Sequence, residues 1–125
     1  MDMRTPLKRV RGSGAAGEGT GHFWLQRVTA IANLFLIAFF VVLLISLHDE
    51  GYETVRAALA NPIVGLITAL CVVVPCIHMR LGMQTIIEDY FHGALKVPLV
   101  ILNTFFAFLV GAAAVFAILK MSLGA

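Results

Sequence analysis

Three long apolar runs constrain the fold of this chain more than any other feature. Residues 28–47 hold 20 residues without a charged side chain, and residues 97–119 hold 23. The middle run, residues 63–79, holds 17, and its helical apolar pattern continues past Arg80 to Ile87. Because a helix needs about 20 residues to cross a ~30 Å hydrocarbon core, each run is long enough to span a membrane. Open sheets would leave backbone groups unpaired in lipid. The sequence therefore predicts an all-α integral membrane protein with three transmembrane helices, at about residues 28–47, 62–87 and 97–119.

The composition excludes several classes of protein. Of the 125 residues, 60% are hydrophobic and 13% are charged, whereas a soluble domain carries about a quarter charged residues. An ordinary soluble globule, a disordered protein and a nucleic-acid-binding module are therefore excluded. The two cysteines, Cys71 and Cys76, lie five residues apart in one apolar run. This spacing indicates neither a disulfide framework nor a metal-binding pair.

The distribution of charge predicts the orientation of the chain in the membrane. Residues 1–22 form a basic, Gly-rich arm, and residues 23–125 form the three-span anchor domain. Positive charge next to a first span is typical of the cytoplasmic side. We therefore expect a cytoplasmic N-terminus, an outer first loop and an outer C-terminus. The charges that carry this prediction are five of the nine Lys and Arg residues: Arg4, Lys8, Arg9, Arg11 and Arg27.

His78 is the one histidine that lies deep within a predicted span. It is either hydrogen-bonded to a neighbouring helix or a ligand to a metal or haem, because neutral imidazole binds iron without bringing a charge into the membrane. Gly82, Thr85 and Asp89 follow it at four, seven and eleven residues, so they share its face of the helix. Gly82 leaves room beside His78 for a flat macrocycle.

Asp89 and Tyr90 place a carboxylate and a phenol near the inner end of the second span. A phenol can donate a hydrogen bond at the depth where aromatic side chains are common. Taken alone, these two residues are better explained as an ordinary polar helix end with an interfacial aromatic ring.

Two motifs resemble a known family. The pattern His78-x3-Gly82-x6-Asp89-Tyr90 closely resembles the hydrophobic membrane anchor subunits of bacterial and mitochondrial succinate dehydrogenase. Residues 19–30, which read Gly-Thr-Gly-His-Phe-Trp-Leu-Gln-Arg-Val-Thr-Ala, are similar to the start of the first span in the alphaproteobacterial members. With the three-span layout, the resemblance covers the chain from about Gly12 onward.

The resemblance implies roles for four residues. His78 matches the axial iron ligand of a b-type haem shared with a partner subunit, in a haem-binding helix bundle. Tyr90 matches the residue that hydrogen-bonds a carbonyl of ubiquinone, the substrate, and Asp89 matches the acid that supports this site. Arg27 matches an arginine near the haem propionates. A simple positive-inside anchor remains an equal alternative for Arg27.

The resemblance also implies partners. A bis-histidine haem needs two ligands and only His78 lies deep in a span, so the second ligand must come from another chain. The implied partners are a second membrane cytochrome b subunit, an iron–sulfur subunit, a flavoprotein subunit and membrane lipid, in the bacterial inner membrane. This chain would then be a subunit outside the catalytic core, which helps pass electrons from succinate to ubiquinone in the tricarboxylic acid cycle and the respiratory chain.

Two other interpretations remain open. The first is a free-standing homodimeric b-type membrane cytochrome that uses His78 from each copy. The second is a small membrane scaffold or proton-relay protein in which His78 and Asp89 carry protons.

Overall fold

Four helices make up the continuous part of the chain that the computed structural model describes, residues 18–124; residues 3 and 5–8 are described in addition. The helices are α1 (Glu18–Leu47), α2 (Tyr52–Ala60), α3 (Pro62–Tyr90) and α4 (Lys96–Leu123), with a 3₁₀ turn (Gly93–Leu95) before α4.

Three of these helices are long and apolar enough to cross a membrane. The spanning segments are Thr20–Leu47, Pro62–Tyr90 and Gly93–Leu123. The predicted all-α fold with three spans is confirmed. Each span is longer than the apolar run that predicted it. Most of the basic arm lies outside the described residues, so the division of the chain at residue 22 stays a prediction.

The short helix α2 occupies the first loop, where the sequence analysis predicted only a connection. Leu59, near its end, is buried, and the Ser122 hydroxyl of α4 donates a 2.7 Å hydrogen bond to the Leu59 carbonyl. A Cβ atom added at Gly65 of α3 would lie 2.7 Å from the same carbonyl oxygen. The glycine therefore permits α2 to fold back against the adjoining ends of α3 and α4.

Local sequence signals explain where α3 begins and where α4 ends. The Asn61 side chain accepts hydrogen bonds from the backbone N–H groups of Ile63 and Val64, at 3.0 and 3.5 Å. Pro62 takes the first helical position, where a missing N–H costs nothing, and α3 begins there. At the other end, Gly124 terminates α4 with a left-handed φ of 73°.

The middle span α3 packs against α1 on one side and against α4 on the other. Small residues line its contact with α4: Ala107 is buried, and a Cβ atom added at Gly111 would meet the Cys76 sulfur at 3.7 Å. Thr29 is the one side chain of α1 that is buried within the described chain. Most of the apolar surface of α1 therefore faces lipid or other chains.

Side-chain hydrogen bonds also join the helices inside the membrane, where no water competes for them. The Cys71 thiol of α3 donates to the Leu36 carbonyl of α1, at 3.3 Å. The Asn103 amide of α4 donates to the Arg80 carbonyl of α3, at 2.9 Å. A further contact joins Thr29 of α1 to His78 of α3 and forms part of the candidate site.

Candidate functional site

An open cleft of about 550 Å³ lies between α1 and α3, and His78 lines it. Gly82 and Thr85 line the same cleft, as the shared helix face predicted. The residues that line the cleft are His22, Phe23, Gln26, Arg27 and Ala30 from α1, and His78, Gly82 and Thr85 from α3.

The His78 ring is held by one hydrogen bond to the neighbouring helix. Its Nδ1 atom lies 3.0 Å from the Thr29 hydroxyl, and the Thr29 side chain is 5% exposed. No residue of the described chain forms a hydrogen bond with Nε2 of His78. The two interpretations of His78 from the sequence are therefore compatible, because one ring nitrogen bonds a neighbouring helix and the other remains free for a ligand.

Gly82 and Gln26 shape the part of the cleft beside His78. A Cβ atom added at Gly82 would lie 3.4 Å from the Gln26 amide nitrogen, so the end of the Gln26 side chain lies beside the space that the glycine leaves. His22 Nε2 and Gln26 Oε1 are both buried without a hydrogen-bond partner in the described part of the chain. Buried polar atoms are nearly always hydrogen-bonded. A water molecule, a bound group or a neighbouring chain would supply the missing partners.

Arg27 brings a positive charge to the cleft. Its guanidinium carbon lies 5.0 Å from the centre of the Phe23 ring, a cation–π contact that directs the exposed side chain. The guanidinium fork suits paired oxygen atoms of a carboxylate. His78 and Arg27, which the resemblance associates with the iron and the propionates of a haem, line one cleft.

Asp89 and Tyr90 lie apart from this cleft, at the C-terminal end of α3. Tyr90 is 78% exposed, and Asp89 is exposed as well. The rise of the helix puts Tyr90 about 18 Å from His78 along the axis. Neither side chain bonds another described residue. A binding pocket at this end needs walls from outside the described chain.

The cleft offers few ligands to a metal ion. Within residues 18–124, no three His, Cys, Asp or Glu side chains are grouped to hold a bare ion. A single histidine supplies one ligand, which suits an iron whose macrocycle supplies its own equatorial nitrogens. The glycine at Gly82, the cation of Arg27 and the unpartnered Nε2 of His22, which can donate a hydrogen bond, fit a flat, anionic group such as haem.

The chain matches one family of known membrane proteins over nearly its whole length. The family described as succinate dehydrogenase/fumarate reductase transmembrane subunit matches residues 1–119. The chain belongs to this family. The resemblance seen in the two sequence motifs is thereby confirmed.

Curated relatives of this transmembrane subunit carry one name, succinate dehydrogenase hydrophobic membrane anchor subunit. A protein of Paracoccus denitrificans is 37% identical over 125 residues, which is 100% of this chain and 97% of the relative. A Rickettsia bellii protein is 28% identical over 89 residues, or 71% of each chain. A Rickettsia conorii protein is 26% identical over 107 residues, or 83% of this chain and 85% of the relative. No solved structure matches the chain significantly.

The sequence analysis of this transmembrane subunit missed Thr29 and Gln26 as parts of the site. Thr29 is separated from His78 by 49 positions, so no motif spacing connects the two residues. The available signal was a hydroxyl side chain within an apolar run, two residues after Arg27.

Proposed function

We propose that the chain is the membrane anchor subunit of a succinate dehydrogenase. We further propose that it holds one side of a haem b through His78 and contributes Tyr90 and Asp89 to a ubiquinone site. Membership of the family and the shared name of three relatives support the anchor role. The haem role rests on the hydrogen bonding of the His78 ring. Nδ1 is hydrogen-bonded to Thr29, while Nε2 has no hydrogen-bond partner among the described residues and lies in the cleft.

Four residues of the cleft would receive the haem. Haem b, when bound, supplies a one-electron carrier within the membrane. His78 Nε2 would ligate its iron, Gly82 would leave space for the ring, and Arg27 would neutralise propionate charge. The buried His22 Nε2 is placed to take part in a hydrogen bond on the same side.

The second iron ligand would come from a partner chain. His22 is the other histidine in the cleft, but it precedes Thr29 by seven residues, which is about 10 Å along α1. Thr29 marks the level of His78, because the two side chains are in contact. His22 therefore lies toward the inner end of the cleft rather than across from His78. A second membrane cytochrome subunit would supply this second iron ligand.

The quinone role of Tyr90 and Asp89 rests on chemistry and on the resemblance. A quinone that takes up two electrons also takes up two protons, so a hydrogen-bond donor and a water-accessible carboxylate suit its site. The Tyr90 hydroxyl is the donor, and the exposed Asp89 is the carboxylate. Their exposure fits a pocket whose remaining walls belong to the partner subunits.

Substitution of His78 tests the haem role. In the assembled complex, we expect His78→Ala to abolish the low-spin b-type absorption spectrum or to remove the haem, because one of two axial ligands is lost. His48→Ala is the matched control, since His48 is exposed and pairs with Asp49 at 2.9 Å. The control should keep the spectrum. An unaltered low-spin spectrum in His78→Ala would show that another residue ligates the iron.

A further inference from the structure

The neighbours of the Thr29 hydroxyl determine which acceptor receives its hydrogen bond. Oγ1 lies 2.7 Å from the Leu25 carbonyl oxygen, 3.1 Å from the Gln26 carbonyl oxygen and 3.0 Å from His78 Nδ1. Carbonyl oxygens only accept hydrogen bonds, and two oxygens this close repel unless a proton lies between them. The hydroxyl therefore donates to the preceding turn of α1, chiefly to Leu25.

This arrangement decides which nitrogen of His78 carries hydrogen. A hydroxyl that has donated its single proton can only accept a hydrogen bond from a third neighbour. His78 Nδ1 must then be the protonated nitrogen and must donate to Thr29. Neutral imidazole has one N–H, so the lone pair lies on Nε2. This is the tautomer that binds a metal through Nε2.

We propose that Thr29 is a positioning residue that holds His78 in the Nε2-ligating tautomer and raises the electron-donating strength of its ring. The proposal rests on the haem role proposed for His78. An acceptor on the outer N–H of a metal-bound histidine fixes the ring and makes the ligand more basic. A more basic ligand favours ferric over ferrous iron. Because Thr29 is buried, bulk water does not take the place of its hydroxyl.

A pair of conservative substitutions isolates the hydroxyl. Thr29→Val keeps the shape of the side chain and removes the acceptor, whereas Thr29→Ser keeps the acceptor. The measurement is a redox titration of the haem in the purified, assembled complex, together with its low-spin absorption spectrum. Loss of such a partner lowers metal affinity by about 10- to 100-fold. We expect Thr29→Val to weaken the binding of ferric iron relative to ferrous iron by about tenfold, the lower end of that range. That change raises the midpoint potential by about 59 mV for one electron. Thr29→Ser should keep the original potential.

Thr68→Val provides the matched control. Thr68 is also buried, and its hydroxyl also donates to the carbonyl four residues earlier, that of Val64, at 2.7 Å. It makes no hydrogen bond to another helix within the described chain. Thr68→Val should therefore leave the haem potential unchanged. If Thr29→Val does not assemble, Thr29→Ala removes the same acceptor with fewer atoms and gives the same comparison.

The outcomes separate this proposal from the haem role itself. A raised potential in Thr29→Val with the original potential in Thr29→Ser supports the proposal. Loss of the low-spin spectrum in His78→Ala, together with an unshifted potential in Thr29→Val, overturns the role of Thr29 alone. An unaltered spectrum in His78→Ala overturns the haem role first.

Discussion

At the scale of single residues, the Tyr90 hydroxyl separates quinone binding from simple anchoring. Tyr90→Phe keeps the exposed ring and deletes one hydrogen-bond donor. If that donor bonds the quinone oxygen as negative charge builds on it, the loss is about 1.5–3 kcal/mol. Each 1.36 kcal/mol is tenfold in rate, so quinone reduction should slow roughly ten- to hundredfold. Electron transfer from succinate to a soluble dye should stay near the original rate, since it bypasses the membrane site.

The quantity to measure is the ratio of quinone to dye activity in membranes that hold equal amounts of assembled complex. Tyr52→Phe is the control, because Tyr52 is also exposed and is the other tyrosine of the chain. Asp89→Asn should lower the ratio as well, because the amide cannot pass a proton. An unchanged ratio in Tyr90→Phe means that Tyr90 serves only as an interfacial anchor.

At the scale of the helices, the turn between α2 and α3 depends on the absence of a side chain at Gly65. A Cβ atom there would lie 2.7 Å from the Leu59 backbone oxygen, a separation that forces one of the two helices to shift. We expect Gly65→Ala to lower the free energy of unfolding by about 1–3 kcal/mol, the usual cost of overpacking. Denaturant-induced unfolding of the purified complex, followed by the helical signal, measures this loss.

Gly111→Ala is the control for that experiment. A Cβ atom at Gly111 would meet the Cys76 sulfur at 3.7 Å, an ordinary van der Waals contact. This substitution should be neutral or slightly stabilising, because alanine favours a helix more than glycine does. Equal stability of the two variants would show that α2 does not pack as closely on α3 as the structure indicates.

At the scale of the whole molecule, membership of the transmembrane-subunit family indicates that the chain works within an assembly. Co-purification in mild detergent should bring down a second multi-span subunit together with flavoprotein and iron–sulfur subunits. A stable haem protein that contains this chain alone would favour the homodimeric cytochrome. A stable complex that never contains haem would favour the scaffold or proton relay.

The orientation of the chain has a separate test. The basic arm predicts a cytoplasmic N-terminus, and three spans then put the C-terminus outside. A reporter fused after residue 125 should be accessible from outside, and one fused near residue 14 should be accessible from inside. The reverse pattern would place Tyr90 at the outer surface, away from cytoplasmic electron donors, and would contradict its quinone role.

The sequence by itself determined the class of fold, the three spans and the face that His78 shares with Gly82. These features depend on local properties: apolar length, the helical repeat, and the proline and asparagine signals that begin α3. The short helix α2 escaped prediction, because nine residues are too few to form a stable helix alone, and α2 is stabilised by its packing on α3 and α4.

Only the tertiary structure decided which side chains meet. Helical arithmetic placed His78 and Asp89 on one face, but it could not show that α1 covers the face near His78 and leaves the end at Asp89 exposed. The contact between Thr29 and His78 joins two helices whose relative rotation and depth are set by packing over their whole length. No local sequence pattern determines this relative rotation and depth of the two helices. The proposed haem chemistry depends on the tautomer of the His78 ring, and this tautomer is therefore set by the packing of the helices.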